Sequence, residues 1–257
     1  MRLAVFQFRG SSDIKENHKA IKRAIESASR SNVRLLVFQE CAACGYPPVE
    51  TPSARDIDFG ELAGNLAEIK TLAQRYGMYI ALGTIRKEES SYYDSIQLIN
   101  PEGKLQDFYD KRALWGWDLE NFEPGSETGI FEIDGIKIGF RICFELRFPE
   151  YFRELFKAKT DICFVSLCDV QEQESAERYE AIKSYLSARA MENVMTLISV
   201  NSISKYQTGP TAVFDINGSI IHEAPRNQEY LLIYDYSTPE ISFGARGRLE
   251  HSSMLVK

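Results

Sequence analysis

Residues 131–145, FEIDGIKIGFRICFE, read as two strands folded about Asp134-Gly135. Asp-Gly is a favoured two-residue hairpin turn, because both positions tolerate a positive φ. The second strand, KIGFRI, runs straight into Cys143. A tight hairpin means antiparallel pairing, which argues against an all-parallel sheet. The flanking chain repeats the theme. Residues 79–110 hold three strands, with a turn at PEGK (101–104), and residues 211–224 (TAVFDINGSIIHEA) form a hairpin turning at Asn217-Gly218. The short runs LLVF (35–38) and ICFVSL (162–167) are apolar at every or nearly every position, as strands covered on both faces are. Helical spacing is expected over 14–31, over 60–76 ending at Gly77, over 149–158 opening at Pro149, and over 174–192. Residues 2–8, 194–201 and 229–236 read as further strands, residues 112–129 as a loop, and the tail from Ser237 as poor in periodicity. The class is therefore α/β or α+β in one domain spanning 1–257, and two sheets face to face with helices outside would bury these strands on both faces.

Composition bounds the function. The chain has 257 residues, 44% hydrophobic, which supplies a sizeable core. Thirty Lys+Arg against 37 Asp+Glu give a net charge of −7, a surface that repels phosphate backbones, so no nucleic-acid partner is expected. MRLAVFQF does not read as a signal peptide, and no run approaches the roughly 18 apolar residues of a spanning helix. The expectation is a cytoplasmic protein with no membrane association and with its five Cys reduced.

Three apolar strands each run into a reactive residue: LLVFQ into Glu40, LQDFYD into Lys111, KIGFRI into Cys143. Strand ends on a rigid scaffold are where sites are assembled. A thiol between a strand and a helix lies near the N–H groups of the next turn, and a positive neighbour there would favour the thiolate. On position alone, an inert buried Cys is the commoner fate. The three histidines, His18, His222 and His251, lie on a helix, a hairpin end and the tail, so a Cys–His pair has little support. Glu40, ending a buried strand, is then the candidate base, and Lys111 the candidate positive charge. Taken singly, each also reads as an ordinary charge at a strand end.

Taken in order, these pieces resemble the nitrilase superfamily of carbon–nitrogen hydrolases. RICFELRFPEYFREL (141–155) is similar to that family's cysteine signature, with GYPP after Glu40, FEPG after Lys111, ARAMEN at 188–193 and VN at 200–201 as further echoes. The resemblance implies a four-layer αββα sandwich and a Glu40–Lys111–Cys143 triad. It implies Glu40 as base and proton shuttle, and Lys111 with the backbone N–H of Phe144 as oxyanion donors. Cys143 would be the nucleophile of a thioester mechanism that uses no metal or cofactor. A second acid in the loop after the Lys would be Glu120 or Asp118, with Glu120 favoured. The chain departs from the family pattern at Gln39, Ala113, residues 166–169 and residues 177–185, all around the substrate pocket.

The expected activity is hydrolysis of a small carboxamide, similar to an ω-amide, to a carboxylate and ammonia. Carbamoyl-amine and nitrile hydrolysis use the same triad, and a non-catalytic binding protein or a redox or zinc protein are the rivals. Cys41 and Cys44 form a C-x-x-C that could carry redox or zinc chemistry but reads better as structural, with Cys44 near the pocket. Trp115, Trp117 and Phe122 could wall a pocket or anchor their loop. Arg147 is expected to pair internally with Glu145 or Glu150. By the resemblance, the chain forms a homodimer or larger homo-oligomer, with residues 237–257 reaching a partner subunit; an irregular end is the alternative.

Overall fold

The computed structural model describes residues 1–255. Along the chain run β1 (Arg2–Gln7), α1 (Ile14–Arg30), β2 (Leu35–Phe38), α2 (Phe59–Tyr76), β3 (Tyr79–Glu88), β4 (Ser91–Ile99) and β5 (Leu105–Asp110). Then come α3 (Asp118–Asn121), β6 (Ile130–Ile133), β7 (Ile136–Ile142), α4 (Pro149–Lys157), β8 (Ile162–Leu167), β9 (Val170–Gln171) and α5 (Ala176–Asn193). The chain continues through β10 (Thr196–Asn201), β11 (Tyr206–Gln207), β12 (Ala212–Phe214), β13 (Ile220–Glu223), β14 (Tyr230–Asp235) and α6 (Phe243–Leu255).

Two six-stranded mixed sheets form, in the orders β14-β1-β2-β3-β4-β5 and β13-β12-β10-β8-β7-β6, with β9 and β11 paired separately. Alternation along each strand decides what lies between them. Leu35 and Val37 of β2 meet Phe140, Ile142, Phe164 and Ile198 in the layer between the sheets. Leu36 and Phe38 face the other way, under Ile21, Ile25, Ile69 and Leu72 of α1 and α2. On the second sheet Val165 and Leu167 pack under Phe152 and Leu155 of α4 and Leu186 of α5. The result is helix, sheet, sheet, helix: the expected αββα sandwich, with the doubly apolar strands buried on both faces.

The local signals explain the boundaries. Asp13 and Asp58 cap α1 and α2, each accepting from two backbone N–H groups. Gly77 closes α2 at φ +62°. Asp134 (φ +51°) and Gly135 (φ +80°) turn β6 into β7. Two expectations are corrected. The loop 112–129 contains the single turn of α3, and within the tail from 237 residues Phe243–Leu255 form α6. That helix buries only Ala245 and Ser252, so it has no apolar stripe to read.

Candidate active site

The ends of β2, β5 and β7 converge on one cavity of about 310 Å³. Lys111 and Cys143 line it together with Tyr46, Trp115, Trp117, Asp118, Phe144, Arg147, Cys168, Asp169 and Arg178. Glu40 lies just beneath: Lys111 Nζ donates to Glu40 Oε1 at 2.7 Å, and both side chains are at most 1% exposed.

Each member is held by its strand end. Gln39 stands where the family pattern differs, and its amide both donates to Phe8 O (2.8 Å) and accepts from Phe8 N (3.1 Å). That stitches the end of β2 to the chain leaving β1 and aims Glu40 inward. A Cβ on Gly83 would stand 1.9 Å from Gln39 O, so only glycine on β3 lets this segment lie flat. Lys111 is fixed through its backbone: its N–H donates to Asp94 O (2.8 Å), and its carbonyl accepts from Gly125 N (2.9 Å). Gly125 closes the FEPG motif where a Cβ would meet Asp110 O at 2.3 Å.

Cys143 opens a 3₁₀ turn, Cys143–Arg147, with φ +40°, a left-handed backbone that a non-glycine residue holds only under constraint. Glu145 supplies the constraint. Its buried carboxylate accepts from Ile142 N (2.8 Å), Arg112 N (2.8 Å) and Tyr109 OH (2.6 Å). Arg189 of the ARAMEN segment reaches across and donates to Leu146 O (3.1 Å). The signature acid two residues after the cysteine is thus spent on the bend. The Phe144 N–H, among the first of a helical turn and so without an intrahelical acceptor, belongs to a residue lining the cavity.

The electrostatics differ from the sequence expectation in one respect. Lys111 does lower the Cys143 pKa, but burial and the charge of Glu40 outweigh it and hold the thiol well above its ordinary value. Cys143 therefore rests as a thiol, and acting as a nucleophile it would have to lose that proton during attack. Burial pushes in the other direction on Lys111, yet the charge of Glu40 foremost keeps its pKa raised, so it stays an ammonium.

The second acid is corrected as well. Asp118, not Glu120, faces the site. Asp118 Oδ2 lies 3.0 Å from Lys111 Nζ, and its Oδ1 accepts from Tyr46 OH at 2.7 Å. Glu120 is exposed, its backbone carbonyl taking Arg55. Trp115 and Trp117 sit at the cavity mouth, 70% and 54% exposed, while Phe122 is buried in the helix-side core. Cys44 is fully buried in that same core, away from the cavity. Arg147 pairs with neither expected partner, since Glu145 is engaged under the bend and Glu150 is exposed. It faces Asp169 at 3.8 Å, over the Phe144 ring.

Four participants escaped the sequence reading. Asp94, mid-strand in YYDSIQL, lies 3.3 Å from Lys111 Nζ. Tyr46 holds Asp118. The backbone N–H of Cys168 donates to Glu40 Oε2 at 2.7 Å. Arg178 clamps Asp169 through two 2.9 Å hydrogen bonds. The last two fall in segments 166–169 and 177–185, whose departure from the family pattern was the only signal.

A carbon–nitrogen hydrolase family model matches residues 2–243, so the chain belongs to that family. It is a hydrolase of carbon–nitrogen bonds other than peptide bonds. Among its relatives, a 2-oxoglutaramate amidase of Bacillus subtilis (strain 168) is 28% identical over 222 residues, 83% of this chain and 82% of that protein. A deaminated glutathione amidase of Dictyostelium discoideum is 22% identical over 94% of this chain and 89% of its own. The amidase of Nesterenkonia sp. AN1 shares the fold: a structure of it with the acetamide moiety of fluoroacetamide on its active-site cysteine superposes with a TM-score of 0.80. At 20% identity, that pair covers 97% of this chain and 93% of the other.

Proposed function

We propose that Glu40, Lys111 and Cys143 hydrolyse the amide bond of a small carboxamide to a carboxylate and ammonia. The observation that carries this is the buried 2.7 Å Lys111–Glu40 pair beneath a cavity that also presents the Cys143 thiol. Glu40 takes the thiol proton as Sγ attacks the carbonyl carbon. The oxyanion is met by a Lys111 N–H and the Phe144 N–H. Glu40 passes its proton to the nitrogen, the C–N bond breaks, and ammonia leaves a thioester on Cys143. Water then attacks the thioester, giving its proton to Glu40. The thiolate leaves, regains that proton, and the acid departs. Asp118, held by Tyr46, orients Lys111.

The acyl group bears a carboxylate, as in an ω-amide. Two guanidinium groups, Arg147 and Arg178, face the cavity against one acid, Asp169, and Arg147 Nε has no hydrogen-bond partner among the described residues. That leaves one positive charge unbalanced where Arg147 and Arg178 face the cavity. Phe243, Met254 and Leu255 of α6 are exposed, and a homodimer would cover them. No described helix is long and apolar enough to cross a membrane.

The test is ammonia release from ω-amides, neutral amides of equal length, carbamoyl compounds and nitriles, with Cys143→Ala beside the wild type. Release from the ω-amides that vanishes in the variant is expected. Full turnover by Cys143→Ala would refute the mechanism, and preference for neutral amides would refute the carboxylate.

A further inference from the structure

An ammonium has three N–H donors, and three carboxyl groups from three different segments close on that of Lys111. Glu40 lies at 2.7 Å, Asp118 at 3.0 Å and Asp94 at 3.3 Å, all at most 3% exposed. Fully ionised, the cluster would hold one positive and three negative charges before any oxyanion arrives. Like charges this close in a water-poor site do not all persist, so one acid keeps a proton.

Hydrogen bonding selects which. Both Glu40 oxygens accept, from Lys111 and from the Cys168 N–H. Asp118 accepts from Tyr46 on one oxygen and meets Lys111 with the other. Among the described residues Asp94 is poorly provided: Oδ1 takes only the Cys41 thiol at 3.4 Å, a weak donor, and buried Oδ2 makes no hydrogen bond. The groups facing it are Glu40 and Cys41 beyond β2, Lys111 beyond β5, Asp118 on α3 and Cys44 in the loop after β2. Only Lys111 among them is cationic. Burial and the charge of Glu40 accordingly push the Asp94 carboxyl well above the ordinary range.

Resting on the amidase reading above, we propose that Asp94 is a positioning residue that works as a neutral carboxylic acid throughout turnover. As a neutral group it props Lys111 against Glu40 without drawing an ammonium N–H to itself as a third anion would. That N–H stays available to the substrate oxyanion. Asp94 does not line the cavity, so its effect falls on kcat and not on KM.

Two measurements test this. In protein labelled with ¹³C at aspartate carboxyls, one carboxyl should remain protonated at pH 7 and be missing from Asp94→Asn. Titration of the Asp94 carboxyl near the ordinary value of about 4 would overturn the proposal. The wild-type titration decides alone should the variant fail to fold, with assignment through the Asp94 amide. It needs no turnover, so it stays readable even if the amidase reading fails. In kinetics, Asp94→Ala should lower kcat about a hundredfold at unchanged KM, the size of a lost oxyanion donor. Asp94→Asn, which mimics the neutral acid, should restore kcat to within about fivefold, one neutral hydrogen bond. An Asn variant as slow as the Ala variant would mean that Asp94 acts through its charge.

Discussion

A positive-φ, non-glycine residue flanks β7 on each side, Asp134 (φ +51°) in the turn before its start and Cys143 (φ +40°) just beyond its finish. Both ends also set a basic side chain against a carboxylate: Arg34 with Asp134 at 2.6 Å, and Lys111 with Glu40 at 2.7 Å. The ingredients match and the burial does not. Asp134 and Arg34 are 45% and 34% exposed, Glu40 and Lys111 0% and 1%. At the open end water screens the charges, and the turn is one that Asp-Gly adopts readily. At the closed end burial leaves little solvent to screen three acids around one ammonium, and the bend needs Glu145 beneath it. One end can be altered at little cost, and the other concentrates the strain and charge that chemistry draws on.

The largest effect that would test this contrast is at Lys111. Lys111→Met keeps the volume and removes the only cation among the described residues that faces Glu40, Asp94 and Asp118. The expected outcome is a fall in kcat of about 10²–10³-fold, read by ammonia release on protein whose melting curve confirms folding. Activity within tenfold of wild type would erase the distinction between the two ends.

Next is the support under the bend. Glu145 receives three donors, and a Gln there turns an N–H toward at least one of them. Glu145→Gln is expected to cost about 2–3 kcal/mol, or about 6 °C in Tm, with activity falling alongside. An unchanged Tm would show that the strained turn at Cys143 holds itself.

A smaller and more selective effect belongs to Arg178. Arg178→Leu is expected to raise KM about tenfold for a carboxylate-bearing amide and to leave a neutral amide of equal length unaffected, as the loss of a charge-assisted contact would. Equal changes for both substrates would make Arg178 a brace for Asp169 and nothing more.

Legibility in the sequence also divides along burial. The sandwich was readable because its strands are short, alternate or doubly apolar, and are joined by turns whose chemistry is local, as at Asp134-Gly135. Glu40, Lys111 and Cys143, which the structure brings to one cavity, stood out because each follows closely on the end of a strand. What escaped was set by contacts distant in sequence. Asp94 looks like any polar residue in YYDSIQL until β4 lies beside β5 and brings it to Lys111. The Cys168 contribution is a backbone N–H, which no residue type announces. Asp118 and Glu120 sit two apart in one short turn, and only the turn's orientation, fixed by Tyr46 holding Asp118, separates them. α6 escaped because it docks through Ala245 and Ser252 and through Arg248 on Met191 O and Ile216 O, a small-residue contact with no helical stripe.

The smallest effect is expected where the contrast predicts least, at Asp134. Asp134→Asn keeps a residue that accepts positive φ before Gly135, and so isolates the ion pair from the turn. The hydrogen bond from Arg34 holds the Asp134 carboxyl below its ordinary value. A depressed carboxylate contributes stability that is present above its unfolded value of about 4 and disappears as pH falls through the folded value. Wild type should therefore exceed the variant at pH 7 by less than about 1 kcal/mol, given the solvent screening of so exposed a pair. The difference should shrink to nothing in acid, and high salt at pH 7 should shrink it too. Because the pair lies at the far end of β7 from Cys143, kcat should not change. A loss of several kcal/mol, or a difference that persists below the folded value, would mean that the open end of β7 is held as tightly as the closed one.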